Sequence, residues 1–205
     1  MLDRAWGGLN WPHDQRVLLS ILERYRGRDE VVICELGVDK GQTGNRLVER
    51  LVDLGVNSIK YYGIDDMSLA RYEPTVDHHV NFEYDCMTFI EGNRSALTGI
   101  GPLDFLFIDG CHCSECVYED SIAGSRASAV GGVMAFHDTC LMVQYPNSIR
   151  PNAWQHYVSG VPTRPLAVVE GIASARASWM GTWTLIEQSG DRLDWGGIRA
   201  YLRTS

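Results

Sequence analysis

Two short runs hold the residue types best suited to chemistry. Asp109-Gly110-Cys111-His112 follows the apolar stretch Leu103–Ile108, and His137-Asp138-Thr139 follows the apolar stretch Val133–Phe136. Imidazole beside carboxylate can exchange a proton near neutral pH. A structural ion-pair network would use the same residue types. A third run, Glu35-x-Gly37-x-x-x-Gly41-x-Thr43, combines an acid with glycines that let the backbone approach a ligand closely. The helix that follows it offers N–H groups at its start.

These runs need elements to hold them. The β-branched Val31, Val32 and Ile33, continuing through Cys34 and Leu36, suit a strand buried on both faces of a parallel sheet. The glycine turn after it leads into a helix from about Gln42, marked by Leu47, Leu51 and Leu54. A second strand, Lys60–Ile64, closes on Asp65, and Asp66 competes with it for the same role. An acid at that place accepts hydrogen bonds from ribose hydroxyls in nucleotide-binding sheets. A third strand is expected over Val80–Tyr84, ending at Asp85-Cys86-Met87. A helix from Ser114, a good N-cap, to about Val130, closed by Gly131-Gly132, should join the fourth strand to the fifth. Such a strand–helix–strand unit is right-handed and brings its two strand tips together. Asp109, His112, His137 and Asp138 should therefore share one crevice.

The Glu35-x-Gly37-x-x-x-Gly41-x-Thr43 run resembles motif I of the class I S-adenosylmethionine-dependent methyltransferases. The block F-I-D-G-x-H followed by G-G-x-x-x-F-H-D-T resembles their small-molecule O-methyltransferase branch, the sugar- and antibiotic-tailoring and catechol-type enzymes. The resemblance covers roughly residues 31–139. It implies a Rossmann-like, doubly wound α/β fold: a mostly parallel seven-stranded sheet with helices on both faces and an antiparallel last strand. It places Glu35, Gly37, Gly41 and Thr43 at the methionine part of the cofactor, Asp65 at the ribose, and Asp85 and Cys86 at the adenine, with Asp109 bordering the same site. It also makes Asp109, His137 and Asp138 ligands of a divalent metal, magnesium or manganese, and His112 the base. Asp109, His112 and Asp138 would then carry the chemistry.

That assignment is chemically coherent. A histidine with a pKa of about 6.5 takes little of the proton of an alcohol, and a cation supplies the missing driving force, as zinc lowers bound water from about 15.7 to about 7. His137 stands where much of the branch has a carboxylate. Imidazole favours manganese, iron or zinc over magnesium. Either the metal differs, or His137 points elsewhere, or no metal binds. Cys111, Cys113 and Cys116, with Cys140 beyond the next strand, are a second departure, readable as a soft-metal or redox site or as small packing residues.

One domain is expected over the 205 residues: a helical lead-in at 1–30 (Val17, Leu18, Ile21, Leu22, Tyr25), a cofactor and catalytic core at 31–139, and a substrate loop and final β-hairpin at 140–205. In the last part a short helix is expected around Ala153–Val158. Arg150, Trp154, His156 and Tyr157 are candidates for the acceptor pocket, and Leu166–Gly171 and Trp183–Gln188 are the expected paired strands. Trp179, Trp183 and Trp195 read as core or interface. A net charge of −8 gives a nucleic-acid backbone no electrostatic support, and no apolar run reaches the ~20 residues of a membrane span. With no signal-like leader, the expectation is a cytoplasmic protein with reduced cysteines, acting on a small hydroxylated molecule and open to homo-oligomerisation. Two other readings are a nucleotide-binding enzyme of the dehydrogenase kind, against which the absent G-x-G-x-x-G counts, and a non-enzymatic cysteine-based metal or thiol sensor on the same fold.

Overall fold

The computed structural model describes residues 12–67, 79–140, 155–156, 161–162, 167–189 and 196–205. Helix α1 (Pro12–Leu22) precedes strand β1 (Glu30–Leu36), helix α2 (Gln42–Asp53) and strand β2 (Ser58–Asp65). Strands β3 (Met87–Glu91) and β4 (Leu103–Ile108) lead to helix α3 (Ser114–Ala127) and strand β5 (Ser128–Phe136). Helix α4 (Ala167–Ala175) and the strands β6 (Trp183–Gln188) and β7 (Arg199–Arg203) complete the main framework. The sheet order is 3-2-1-4-5-7-6, parallel except for β7, which runs antiparallel to both β5 and β6. This is the Rossmann-like methyltransferase sheet. A separate two-stranded pairing joins Gln155–His156 to Val161–Pro162. Among the described residues no helix is long and apolar enough to cross a membrane.

Alternation along the strands feeds two apolar layers. Ile33, Phe105, Phe107, Val133 and Ala135 pack with α1 and α2 through Leu18, Ile21, Leu22, Leu47 and Leu51. Cys34, Leu36, Leu106, Ile108, Met134 and Phe136 face the other way, with Val117, Val168, Ile172, Trp179 and Trp183. Trp179 and Trp183 are thus core residues, as expected. At the amino end of the sheet Asp104 gathers three donors: its carbonyl accepts from the Tyr25 hydroxyl at 2.6 Å, and its carboxylate accepts from Arg28 at 2.7 Å and from the Val32 amide at 2.9 Å. That knot fastens the segment after α1 to β1 and β4.

Several sequence expectations are corrected. Residues 80–84 form no strand, and β3 is Met87–Glu91, so Asp85 and Cys86 lie at its beginning, at the end of the sheet away from Asp65. Asn45 of α2 explains this. Its side chain donates to the Asn81 carbonyl and accepts from the Glu83 amide, both at 2.9 Å, occupying backbone groups that a strand ladder would use. Helix α3 ends at Ala127, and Gly131-Gly132 lies inside β5, where the pairing with β4 shifts register. Its N-cap is Cys113 instead of Ser114. Residues 167–171 are helical, so the final antiparallel pair is β6 with β7. Gln155–His156 is extended, which removes the expected helix there. Arg150, Trp154, Tyr157 and Trp195 lie outside the described residues.

Asn45→Ala should therefore cost about 1–3 kcal/mol by loss of two backbone partners, with β1 and β2 intact. Urea unfolding checks this, and an unchanged midpoint would show that the 81–83 segment holds itself.

Candidate active site

The strand tips at the carboxyl edge converge on residues that the chain supplies far apart. Gly37 follows β1 with φ +86, and a Cβ there would meet the Asp109 carbonyl oxygen at 2.4 Å. The glycine is required because the first turn packs directly on the tip of β4. Gly41, at φ +82, caps α2, and its missing Cβ makes room for the Phe82 ring. The first turn of α2 contains no acid and includes the buried Thr43, so its amides can receive an anionic group such as a carboxylate.

Asp65 ends β2 as the sequence predicts. One carboxylate oxygen accepts from the Val38 and Asp39 amides at 2.9 and 3.2 Å, the other from the Met67 amide at 2.8 Å. It thus holds the glycine turn in place, and Asp66 beside it is exposed. Glu35 is 1% exposed, and its carboxylate accepts a short hydrogen bond from the Tyr61 hydroxyl. Burial pushes its pKa well above the usual carboxylate range, with nearby acids adding to the shift. Glu35 therefore turns inward and ties β1 to β2 through Tyr61. At the carboxyl end of β3, the place expected for Asp85 and Cys86, stand Gly92 and Asn93, and the Asn93 side chain accepts from the Ser95 amide at 3.0 Å.

Around the tips of β4 and β5 the predicted quartet does meet. His112 Nε2 lies 2.9 Å from Asp138 Oδ2 and 3.9 Å from Asp109 Oδ1. His137 Nδ1 lies 2.9 Å from Asp109 Oδ1 and 3.7 Å from Asp138 Oδ2. Asp138 has φ +53, a left-handed backbone that costs a non-glycine residue of order 1–3 kcal/mol and is typical of functional sites. Sequence reasoning missed a fifth member, Asp14 of α1, which is wholly buried. Its Oδ2 lies 3.4 Å from His137 Nε2 and accepts from the Gly197 amide at 3.0 Å, while Oδ1 accepts from the Ser189 hydroxyl at 2.6 Å. An acid in the first turn of a helix is so ordinary that only the fold reveals its task.

Donor atoms of Asp109, His137 and Asp138 lie within 4.8 Å of one another, so the set fits a divalent cation. Its mixed nitrogen and oxygen character suits manganese, iron or zinc better than magnesium. Asp14 on the far nitrogen of His137 matches the carboxylate that commonly orients a metal-bound imidazole.

The acids set the protonation of both imidazoles. Burial works against the charged form, but Asp138 and Asp109 outweigh it and push His112 up to about 9. Asp109 and Asp138 likewise raise His137 well above the normal histidine range. For Asp138, burial is again opposed by His137 and His112, and its pKa falls below the usual carboxylate range. A raised histidine contributes stability that is whole below its unfolded pKa of 6.5 and fades as pH climbs through about 9. A depressed aspartate contributes above its unfolded 3.8 and loses that contribution as pH falls. Chelator-treated protein should thus melt at its highest temperature near pH 5–6 and lose stability steadily from about pH 6.5 to 9. His112→Gln should flatten the alkaline limb in differential scanning calorimetry; a wild-type midpoint constant across that limb would refute the charge assignment.

Comparison with known proteins bears on the family and the fold. Residues 34–139 match the model of a methyltransferase-domain family, Methyltransf_24. No curated protein matches the chain. Among solved structures, the O-methyltransferase TomG from Streptomyces achromogenes aligns with a TM-score of 0.53 at 21% identity, covering 96% of this chain and 82% of its own. A putative O-methyltransferase from Klebsiella pneumoniae aligns at 0.55 and 15% identity, over 96% and 83%. The mycinamycin methyltransferase MycE aligns at 0.51 and 15%, covering 90% of this chain, which spans only 48% of MycE. At these identities the structural likeness speaks for the fold. The family match spans the glycine turn, the tips of β4 and β5 and the strands between them, and on it this chain belongs to the Methyltransf_24 methyltransferase-domain family.

Proposed function

We propose that this methyltransferase moves the methyl group of S-adenosylmethionine to a hydroxyl of a small molecule, with His112 as general base. One observation carries the reading: His112 stands against Asp138 and Asp109 at the strand tip on which Gly37 of the cofactor turn packs. TomG is described as an O-methyltransferase of tomaymycin synthesis in complex with SAM, and MycE in complex with Mg, SAH and mycinamycin VI, which supports both a small hydroxylated acceptor and a cation.

The first turn of α2, from Gly41 through Thr43, would receive the methionine carboxylate. Asp65 would turn toward the ribose while keeping its hold on the loop amides, since two oxygens provide about four acceptor sites. The adenine would lie near Gly92 and Asn93. When bound, S-adenosylmethionine would supply an electrophilic methyl carbon with a sulfide leaving group, and His112 would take the proton that the acceptor hydroxyl gives up. Alignment of oxygen, carbon and sulfur is the larger part of the protein's task.

The acids around His112 make it a strong base but leave it protonated at neutral pH, so it acts only after losing that proton. A divalent cation held by Asp109, His137 and Asp138 would supply positive charge that acidifies the acceptor and draws the acids away from His112. Turnover should therefore rise with pH toward about 9 in the absence of added metal.

The test pairs calorimetry with release of S-adenosylhomocysteine across sugar, polyketide and catechol acceptors. His112→Asn should leave cofactor affinity nearly unchanged and lower kcat by roughly 10²–10⁴. Equal loss of cofactor binding would assign His112 a structural task, and saturable binding of NAD in place of S-adenosylmethionine would overturn the reading altogether.

A further inference from the structure

Three thiols converge beside the turn that presents His112, and the methyl-transfer reading uses none of them. The sulfurs of Cys111, Cys113 and Cys116 all lie within 4.8 Å of one another, and those of Cys111 and Cys113 are 3.3 Å apart. Cys113 is 4% exposed and caps α3, its sulfur accepting from the Cys116 amide at 3.3 Å. Cys111 and Cys116 are half-buried, so the group is reachable from one side. None of the six cysteines is joined in a disulfide.

Small packing residues would not need to aim three sulfurs at a common point. A thiophilic cation would. A metal–sulfur bond of about 2.3 Å sets thiolates about 3.8 Å apart around a tetrahedral ion, so Cys111 and Cys113 at 3.3 Å would part by only about half an ångström to take one up. Crowding of the sulfurs and burial push the Cys111 thiol up to about 12 and raise Cys116 as well, so these thiols stay protonated until a cation displaces their protons. Arg94, ion-paired with Asp120 at 2.8 Å, also interacts electrostatically with Cys116. These features set the group apart from the acid–imidazole cluster, whose donors are hard or intermediate.

We propose that Cys111, Cys113 and Cys116 form a trithiolate site for one closed-shell thiophilic cation, with Zn²⁺ as its divalent occupant and the fourth position open. On loading, three S–H bonds give their protons to solvent, three sulfur–metal bonds form and no electrons are transferred. The loaded site carries one net negative charge, which the Arg94 guanidinium partly offsets. Because Cys111 and Cys113 are the two chain neighbours of His112, an ion joining them would also fix the peptide from which the imidazole projects.

The experiment titrates the reduced, metal-free full chain with Co²⁺ and then with Zn²⁺. Near-ultraviolet sulfur-to-cobalt charge-transfer absorption should saturate at one equivalent and vanish when zinc is added. It should persist in Asp138→Asn and in Cys140→Ser, and be absent from the variant carrying Cys111→Ser, Cys113→Ser and Cys116→Ser. If that variant fails to fold by circular dichroism, Cys116→Ser alone should weaken the band in step with the lost sulfur. A wild-type protein with no such band, a band that survives loss of all three thiols, or one abolished by Asp138→Asn would overturn the site. So would conversion of Cys111 and Cys113 to a disulfide in air by a protein that takes up no metal when reduced.

Discussion

Three carboxylates and two imidazoles occupy one enclosed space at the tips of β4 and β5, and each set is tenable there because of the other. An isolated carboxylate taken out of water costs several kcal/mol, and so does an isolated imidazolium. Mutual pairing removes most of that cost and fixes the partners, since an unpaired member would be left charged and poorly solvated. The cluster also fastens the fold. Asp14 reaches from the first described helix to Ser189 and Gly197, 175 and 183 residues along the chain, so the same carboxylate that touches His137 closes α1 over the antiparallel end of the sheet. The geometry of the candidate site and tertiary closure thus draw on one set of charges.

Much of this was legible from residue order. A tight strand–helix–strand connection forces two tips together whatever the side chains, so Asp109, His112, His137 and Asp138 could be grouped from connectivity alone. Asp65 was found because a strand pattern stops on it. What escaped depends on contacts between distant segments. Val80, Phe82 and Tyr84 alternate as a strand would, but Asn45 claims the backbone between them, and the paired residues begin at Met87. Residues 167–171 are apolar and β-branched enough to read as a strand, yet they pack as a helix against α3. The closing strand Arg199–Arg203 is short and has a basic residue at each end, which hides its buried Ala200 and Tyr201.

The glycine turn shows a finer difference. Its spacing pointed to a ligand, and the turn does border the site. Yet Gly37 and Gly41 are each compelled by the protein's own packing, one against the Asp109 main chain and the other against Phe82. Glu35 likewise looks inward to Tyr61. A sequence signature read as cofactor contact is therefore in large part a specification for how two strand tips and a helix fit together.

The knot at Asp104 lies at the opposite rim of the sheet, where one residue gathers the Tyr25 hydroxyl, the Arg28 guanidinium and the Val32 amide. Its separation from the chemical rim divides the molecule's evolutionary constraints. Substitutions at the tips of β4 and β5 can accumulate without loosening the opposite rim. A change at Asp104 would weaken every descendant, whatever molecule it methylates.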